Sequence, residues 1–198
     1  MFVFGHLGIG GGLVYLVRRE WPLAGVLFGT LLPDLIDKPL YYGLVQTDVL
    51  PSYVRLLVPG TRTIGHTLAA ALLLLMPTFI RVPSRAIWPA ISVGLVTHIF
   101  LDIASDVALC WHARVPFTTQ GSGAWRAAFF PFFGEFTPAT RTPNFLEHAW
   151  ANFVSHLPSE ALGAAILAGI AWHLRARSRP RNAHAIDAAQ LSRSGAGN

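Results

Sequence analysis

The sequence predicts an all-α protein: a polytopic helical membrane bundle of about five apolar helices, some of them short, with an aromatic-rich interfacial segment. Three observations predict it. Only 13% of residues are charged, 53% are hydrophobic and mean hydropathy is +0.46. An average soluble domain carries about 25% charged residues, so lipid is the natural solvent for much of this chain. Five apolar segments recur along it, and arginines cluster at alternate ends of those segments. The length of 198 residues fits one domain.

The first segment is Val3–Val17, ending at Arg18-Arg19-Glu20. Its GIGGG run (8–12) lacks the lysine and the preceding strand of a phosphate loop; the glycines read instead as a site of close helix packing. The second segment, Trp21–Leu32, is expected to stop at Pro33, which has no N–H to give a helix. The third is Gly65–Ile80, the fourth Ala86–Leu109 and the fifth Ala161–Leu174. A helical span needs about 20 apolar residues, and only the fourth meets that alone. The short first and second segments still read as helices, because backbone in lipid must satisfy its own hydrogen bonds.

Residues 1–175 are thus expected to form a helical membrane domain. Residues 176–198, rich in Ser, Arg, Ala and Gly, are expected to form a basic, disordered tail. Between the fourth and fifth segments, FFPFFGEF (129–136) has the aromatic composition of a membrane interface. PNFLEHAWANFVSH (143–156) sets Phe145, Ala149, Phe153 and His156 on one side of a helix.

The arginines predict an orientation. With the N-terminus outside, Arg18, Arg19, Arg81, Arg85, Arg175, Arg177, Arg179, Arg181 and Arg193 fall on short inner segments. Lys38, Arg55, Arg62, Arg114, Arg126 and Arg141 are left on two long outer ones. The higher inner density fits the positive-inside rule and implies the inner (plasma) membrane, with the tail in the cytoplasm. The net charge of +5 suits an anionic membrane surface better than nucleic acid, since the arginines form no single stripe. Cys110, the one cysteine, excludes an intrachain disulfide. The N-terminus lacks a basic n-region, so it does not read as a cleaved signal peptide.

Ionisable groups in membrane segments are costly and functional by default. His6 opens segment one. Asp34 and Asp37 follow segment two. Arg62 and His66 lie at the start of segment three, and His98, Asp102 and Asp106 in the second half of segment four. In the orientation above all of them reach the extracytoplasmic side. Residues three or four apart share a helix face, so Asp34 pairs with Asp37, and His98, Asp102 and Asp106 stack. A His-x-x-x-Asp pair can offer one nitrogen and one oxygen to a metal. Imidazole with carboxylate suits Zn, Mn, Fe or Mg, and two ions about 4 Å apart can clamp a phosphoryl group. Singly, each has an ordinary explanation: a hydrogen-bonded structural histidine, a solvated loop acid, an ion pair between helices. Convergence on one layer is what favours a metal site. His112, His148, His156, Glu147 and Glu160 read individually as interfacial residues, with Glu147-His148 on a helix that can lie over the site.

His6, LLPDLID (31–37), TRTIGHTL (61–68) and HIFLD (98–102) together resemble the membrane-bound metal-dependent hydrolases, a family that includes a LexA-regulated inner-membrane type, over roughly residues 1–120. The resemblance implies an integral membrane protein that binds one or two divalent ions through His6, Asp34, Asp37, His66, His98 and Asp102. It also implies hydrolysis. Arg62 matches the arginine ahead of the family's histidine. Many members have His-Arg where this chain has Thr61-Arg62, one candidate ligand fewer.

The expected activity is cleavage of an ester or phosphoester of a membrane lipid by metal-activated water, with Zn the first choice of ion. Arg62 is expected to pair with phosphate oxygens, or else to snorkel as a flanking anchor. Asp37 or Asp106 is the expected base, and segment 125–136 is expected to hold acyl chains. The rival is a non-enzymatic carrier that moves metal ions or protons through the same cluster. A third reading is a structural subunit whose polar cluster only joins helices.

Overall fold

Apolar periodicity without strand alternation yields helices throughout the described residues. The structure, a computed structural model, describes residues 3–45, 51, 58, 60–80, 86–114, 123–132 and 145–178. Seven helices order the described residues. Helix α1 spans Val3–Val17 and contains a π-helical stretch at His6–Gly10. Helix α2 is Leu23–Pro39, continued by a π-helical turn Leu40–Val45. Then come α3 (Leu68–Phe79), α4 (Ile87–Ala113), α5 (Gly123–Phe129), α6 (Phe145–Ser155) and α7 (Leu157–Ser178).

Helix α4 is the centre, packed against α2, α3 and α5, while α1 lies against α2, α4 and α7. Leu95, Ile99, Ala71 and Ala128 form one core cluster; Val14, Val26 and Ala90 form a second. Ser92 Oγ donates to the Ala71 carbonyl at 2.8 Å, a buried polar tie between α4 and α3. The glycine run expected to allow close packing does so: a Cβ on Gly8 would lie 1.9 Å from the Gly163 oxygen, one on Gly11 2.5 Å from Leu27, and one on Gly12 2.6 Å from Ile166.

Helix α2 does not stop at Pro33. It runs on to Pro39, with Pro33 buried inside it. Proline removes one helical donor and crowds the carbonyl four residues back, a cost of about 3 kcal/mol. Here tertiary contacts outweigh that cost, because Val26, Gly29, Thr30 and Asp37 of the same helix are buried. The third apolar segment also begins later than expected. Ile64–His66 is a 3₁₀ turn, and Thr67 caps α3 by accepting from Ala70 N at 3.0 Å, as N-cap threonines do. Helix α7 is longer than 161–174, since Pro158 fits a first helical turn. Helix α6 half-buries Ala149 and Phe153, two of the four residues expected on its apolar side, and exposes Trp150 and Val154. Residues 133–136 of the aromatic run, Arg81, Arg85 and residues 179–198 of the expected tail lie outside the described residues.

Among the described residues two helices, Ile87–Ala113 and Leu157–Ser178, are long and apolar enough to cross a membrane. Helix α2 has 17 residues and α3 has 12. The α2–α4 crossing is tight: a Cβ on Gly94 would sit 2.2 Å from the Val26 oxygen. Gly94→Ala is therefore expected to push the helices apart at a cost of about 1–3 kcal/mol. Thermal unfolding in detergent checks this.

Candidate metal centre

The crossing of α2 and α4 places His98 one turn beyond Gly94 and beside Thr30. His98 Nδ1 lies 2.6 Å from the Thr30 carbonyl oxygen. A carbonyl only accepts, so Nδ1–H donates, and Nε2 is left with its lone pair. His66 is fixed in the same sense. Its Nδ1 donates to Asp37 Oδ2 at 2.7 Å, leaving Nε2 as an acceptor. The two Nε2 atoms face each other at 3.2 Å. Two lone pairs in that arrangement repel unless a positive centre, a proton or a metal ion, lies between them.

Carboxylates surround this pair. Asp34 Oδ1 is 3.7 Å from His66 Nε2, and its other oxygen is bridged by Lys38 one turn along α2. Asp102 Oδ2 lies 3.7 Å from His66 Nε2 and 3.9 Å from His98 Nε2. Asp102 also takes Arg62 Nε at 2.9 Å, while its Oδ1 is 3.3 Å from His6 Nε2. The His6 ring stacks on His98, with centroids 3.9 Å apart and planes 13° apart. Two overlapping sets, His6–His98–Asp102 and Asp34–His66–His98, therefore each bring three ligand atoms close enough to share an ion.

The donor set fits a metal. At a Zn–N distance of about 2.05 Å, nitrogens 3.2 Å apart subtend about 103° at the ion, near the tetrahedral value. Two imidazoles with one carboxylate also match the three-ligand sets that leave a fourth position for water or substrate.

All eight expected site residues meet here, with different surroundings. Asp37 is wholly buried and accepts from Thr63 N (2.7 Å), Thr63 Oγ1 (2.9 Å), Gly65 N (2.9 Å) and His66. A carboxylate has about four lone-pair sites, and protein donors fill all of them. Gly65 makes this possible, because a Cβ there would come 2.9 Å from the Pro33 oxygen. Asp106 accepts twice from Arg62 Nη1, at 3.1 and 2.9 Å, and once from Ala124 N at 3.1 Å. Burial works against the Arg62 charge, but Asp102 and Asp106 outweigh it and hold its pKa above the usual arginine value. His112 is exposed at the end of α4 and belongs to neither group of ligand atoms.

Some contributors carry no sequence signal. The Thr30 carbonyl and the Thr63 amide act through backbone. The π-helical turn that carries His6 has no pattern that marks it. Lys38 was not singled out, although its place four residues after Asp34 is a signal that could have marked it. Glu160 is nearly fully buried on α7 and accepts from Phe4 N (2.8 Å) and Gly5 N (3.0 Å), which fixes the turn that presents His6. No spacing rule couples residue 160 to residue 4.

Fold and cluster together define an all-helical protein with a buried His/Asp group able to hold a metal ion. Comparisons with family models, with curated proteins and with solved structures find no match.

Proposed function

We propose that the chain is an integral membrane metal-dependent hydrolase that cleaves an ester, most favourably a phosphoester, of a membrane lipid. One observation carries the reading: His66 and His98 turn fixed acceptor nitrogens towards each other at 3.2 Å, next to Asp34 Oδ1. Asp34, His66 and His98 hold the ion. Asp37 and the Thr30 carbonyl orient the imidazoles, and Lys38 orients Asp34. His6 and Asp102 complete the wall, joined by Arg62. Such partners of ligand residues tune affinity and orientation. A divalent ion here supplies Lewis acidity, polarising a phosphoryl or carbonyl oxygen and making water nucleophilic near neutral pH. Imidazole and carboxylate favour Zn, with Mn, Fe and Mg as alternatives.

Exposure supports the choice of substrate. The side chains of His6, His66, His98 and Asp37 are 3% exposed or less, while Asp34 is 16%, Lys38 25% and Arg62 32% exposed. The most exposed side chains of the cluster are thus two cations, each paired with a carboxylate; with a divalent ion bound beside them, the opening favours an anionic ester. Guanidinium matches phosphate geometry, and Asp102 and Asp106 hold Arg62 in place for it. Asp37 has no lone pair free to take a proton, so we assign it to orientation rather than to base chemistry.

The membrane setting rests on an inverted surface. Phe79 (83%), Trp111 (86%) and Val17 (76%) are exposed, while His6, Thr30, Asp37 and His98 are fully buried. We read α1, α2 and α3 as further membrane helices beside α4 and α7, with the N-terminus outside and the basic C-terminal end in the cytoplasm. The resemblance of His6, LLPDLID, TRTIGHTL and HIFLD to membrane-bound metal-dependent hydrolases points to the same assignment.

Full-length protein in detergent is expected to release phosphate or a phosphorylated headgroup from phospholipid micelles. EDTA is expected to abolish the release, and added Zn to restore it. Flux of metal ions or protons in proteoliposomes, with no hydrolysis of any phospholipid tested, would overturn this reading in favour of a carrier.

A further inference from the structure

A second site lies at the other end of α1. A cavity of about 370 Å³ separates α1 from α7, within the usual range for small-ligand sites. Ile9, Leu13, Leu16, Ile166 and Ile170 wall it, and Gly12 and Gly169 lie among them. Polar side chains enter through Tyr15, Arg19 and His173. His173 Nε2 is buried with no hydrogen-bond partner among the described residues, and His173 is among the residues that line the groove. Arg18 adjoins Arg19, and Arg175 and Arg177 stand in the last turn of α7. At 1.5 Å per residue this cationic end is about 20 Å along α1 from His6, so it is separate from the metal centre.

We propose that this groove binds one anionic phospholipid, with an acyl chain along the isoleucine and leucine walls and its phosphate at Arg19 and His173. Charge complementarity selects the headgroup: Arg19 stands at one end of an otherwise apolar slot, next in sequence to Arg18, which pairs with Glu20, while Arg175 and Arg177 lie in the last turn of α7. In the orientation proposed above that end faces the cytoplasmic leaflet, where anionic lipids attract basic residues. The inference rests on the membrane setting and is independent of the hydrolytic reading.

Native mass spectrometry tests it on the full chain released from detergent after incubation with phosphatidylglycerol or phosphatidylcholine. The wild type is expected to retain phosphatidylglycerol about fivefold better. A Cβ at Gly169 meets no atom within 4 Å and Gly169 lines the cavity, so Gly169→Leu places a side chain where the acyl chain would lie. It is expected to reduce the lipid adduct about tenfold while leaving melting temperature and metal content unchanged. Arg19→Gln, an exposed change, is expected to bring phosphatidylglycerol down to the phosphatidylcholine level. Equal retention of the two lipids by the wild type, or an undiminished adduct in Gly169→Leu, would overturn the proposal. Metal content measured on the same samples reports separately on the metal centre.

Discussion

His66→Ala is expected to lose its metal and its hydrolytic activity together while still inserting and folding. The imidazole offers Nε2 towards His98 and Asp34 and is held through Nδ1 by Asp37. A structural zinc site is worth about 10–16 kcal/mol. Shared over four coordination positions, three of them protein ligands, that is roughly 2.5–4 kcal/mol each, so losing one weakens binding about a hundred- to a thousandfold. Asp34→Ala is expected to do the same with less harm to the fold, because Asp34 keeps some solvent contact and its main protein partner is Lys38. Elemental analysis of the two purified variants, beside circular dichroism, checks this. A full complement of metal in both would remove them from the ligand set.

Asp37→Ala is expected to show the opposite balance, a large loss of stability with a partial loss of metal. The substitution strands the Thr63 and Gly65 amides, the Thr63 hydroxyl and the His66 Nδ1–H in a buried site. Removing one partner from a buried charged group costs about 3–5 kcal/mol, or roughly 10 °C in melting temperature for a chain of this length. Metal affinity should fall about 10–100-fold, as it does when a residue that orients a ligand is lost. Side-by-side melting and metal titration of Asp34→Ala and Asp37→Ala distinguish holding an ion from orienting a holder. If Asp37→Ala lost metal completely at unchanged stability, the two roles would have to be exchanged.

The site was more legible in the sequence than the helices around it. Acids and imidazoles in a chain poor in charge stand out one by one, and four-residue spacing put His98, Asp102 and Asp106 on one helical face before any coordinates. What spacing could not convey was how these groups differ. Asp34 and Asp37 are equivalent as letters. Only the Thr63–Gly65 loop folding back over α2 turns one into a fully hydrogen-bonded acceptor and leaves the other facing two imidazoles. Helix ends were misjudged where tertiary contact overrode local preference: Pro33 looked like a terminus and lies inside α2, because close packing with α4 compensates for its missing donor. The Glu160 contact to the first turn of α1 spans 155 residues or more, beyond the reach of any local pattern.

The central claim is that His66 and His98 share an ion. Zinc K-edge X-ray absorption on the full-length protein, purified without chelator and loaded with one equivalent of zinc, tests it most directly. The account predicts nitrogen and oxygen ligands alone at about 2.0–2.1 Å, with multiple scattering from two or more imidazoles that weakens in His98→Ala. A sulfur ligand, a spectrum of zinc in water, or an imidazole signal unchanged by His98→Ala would contradict it.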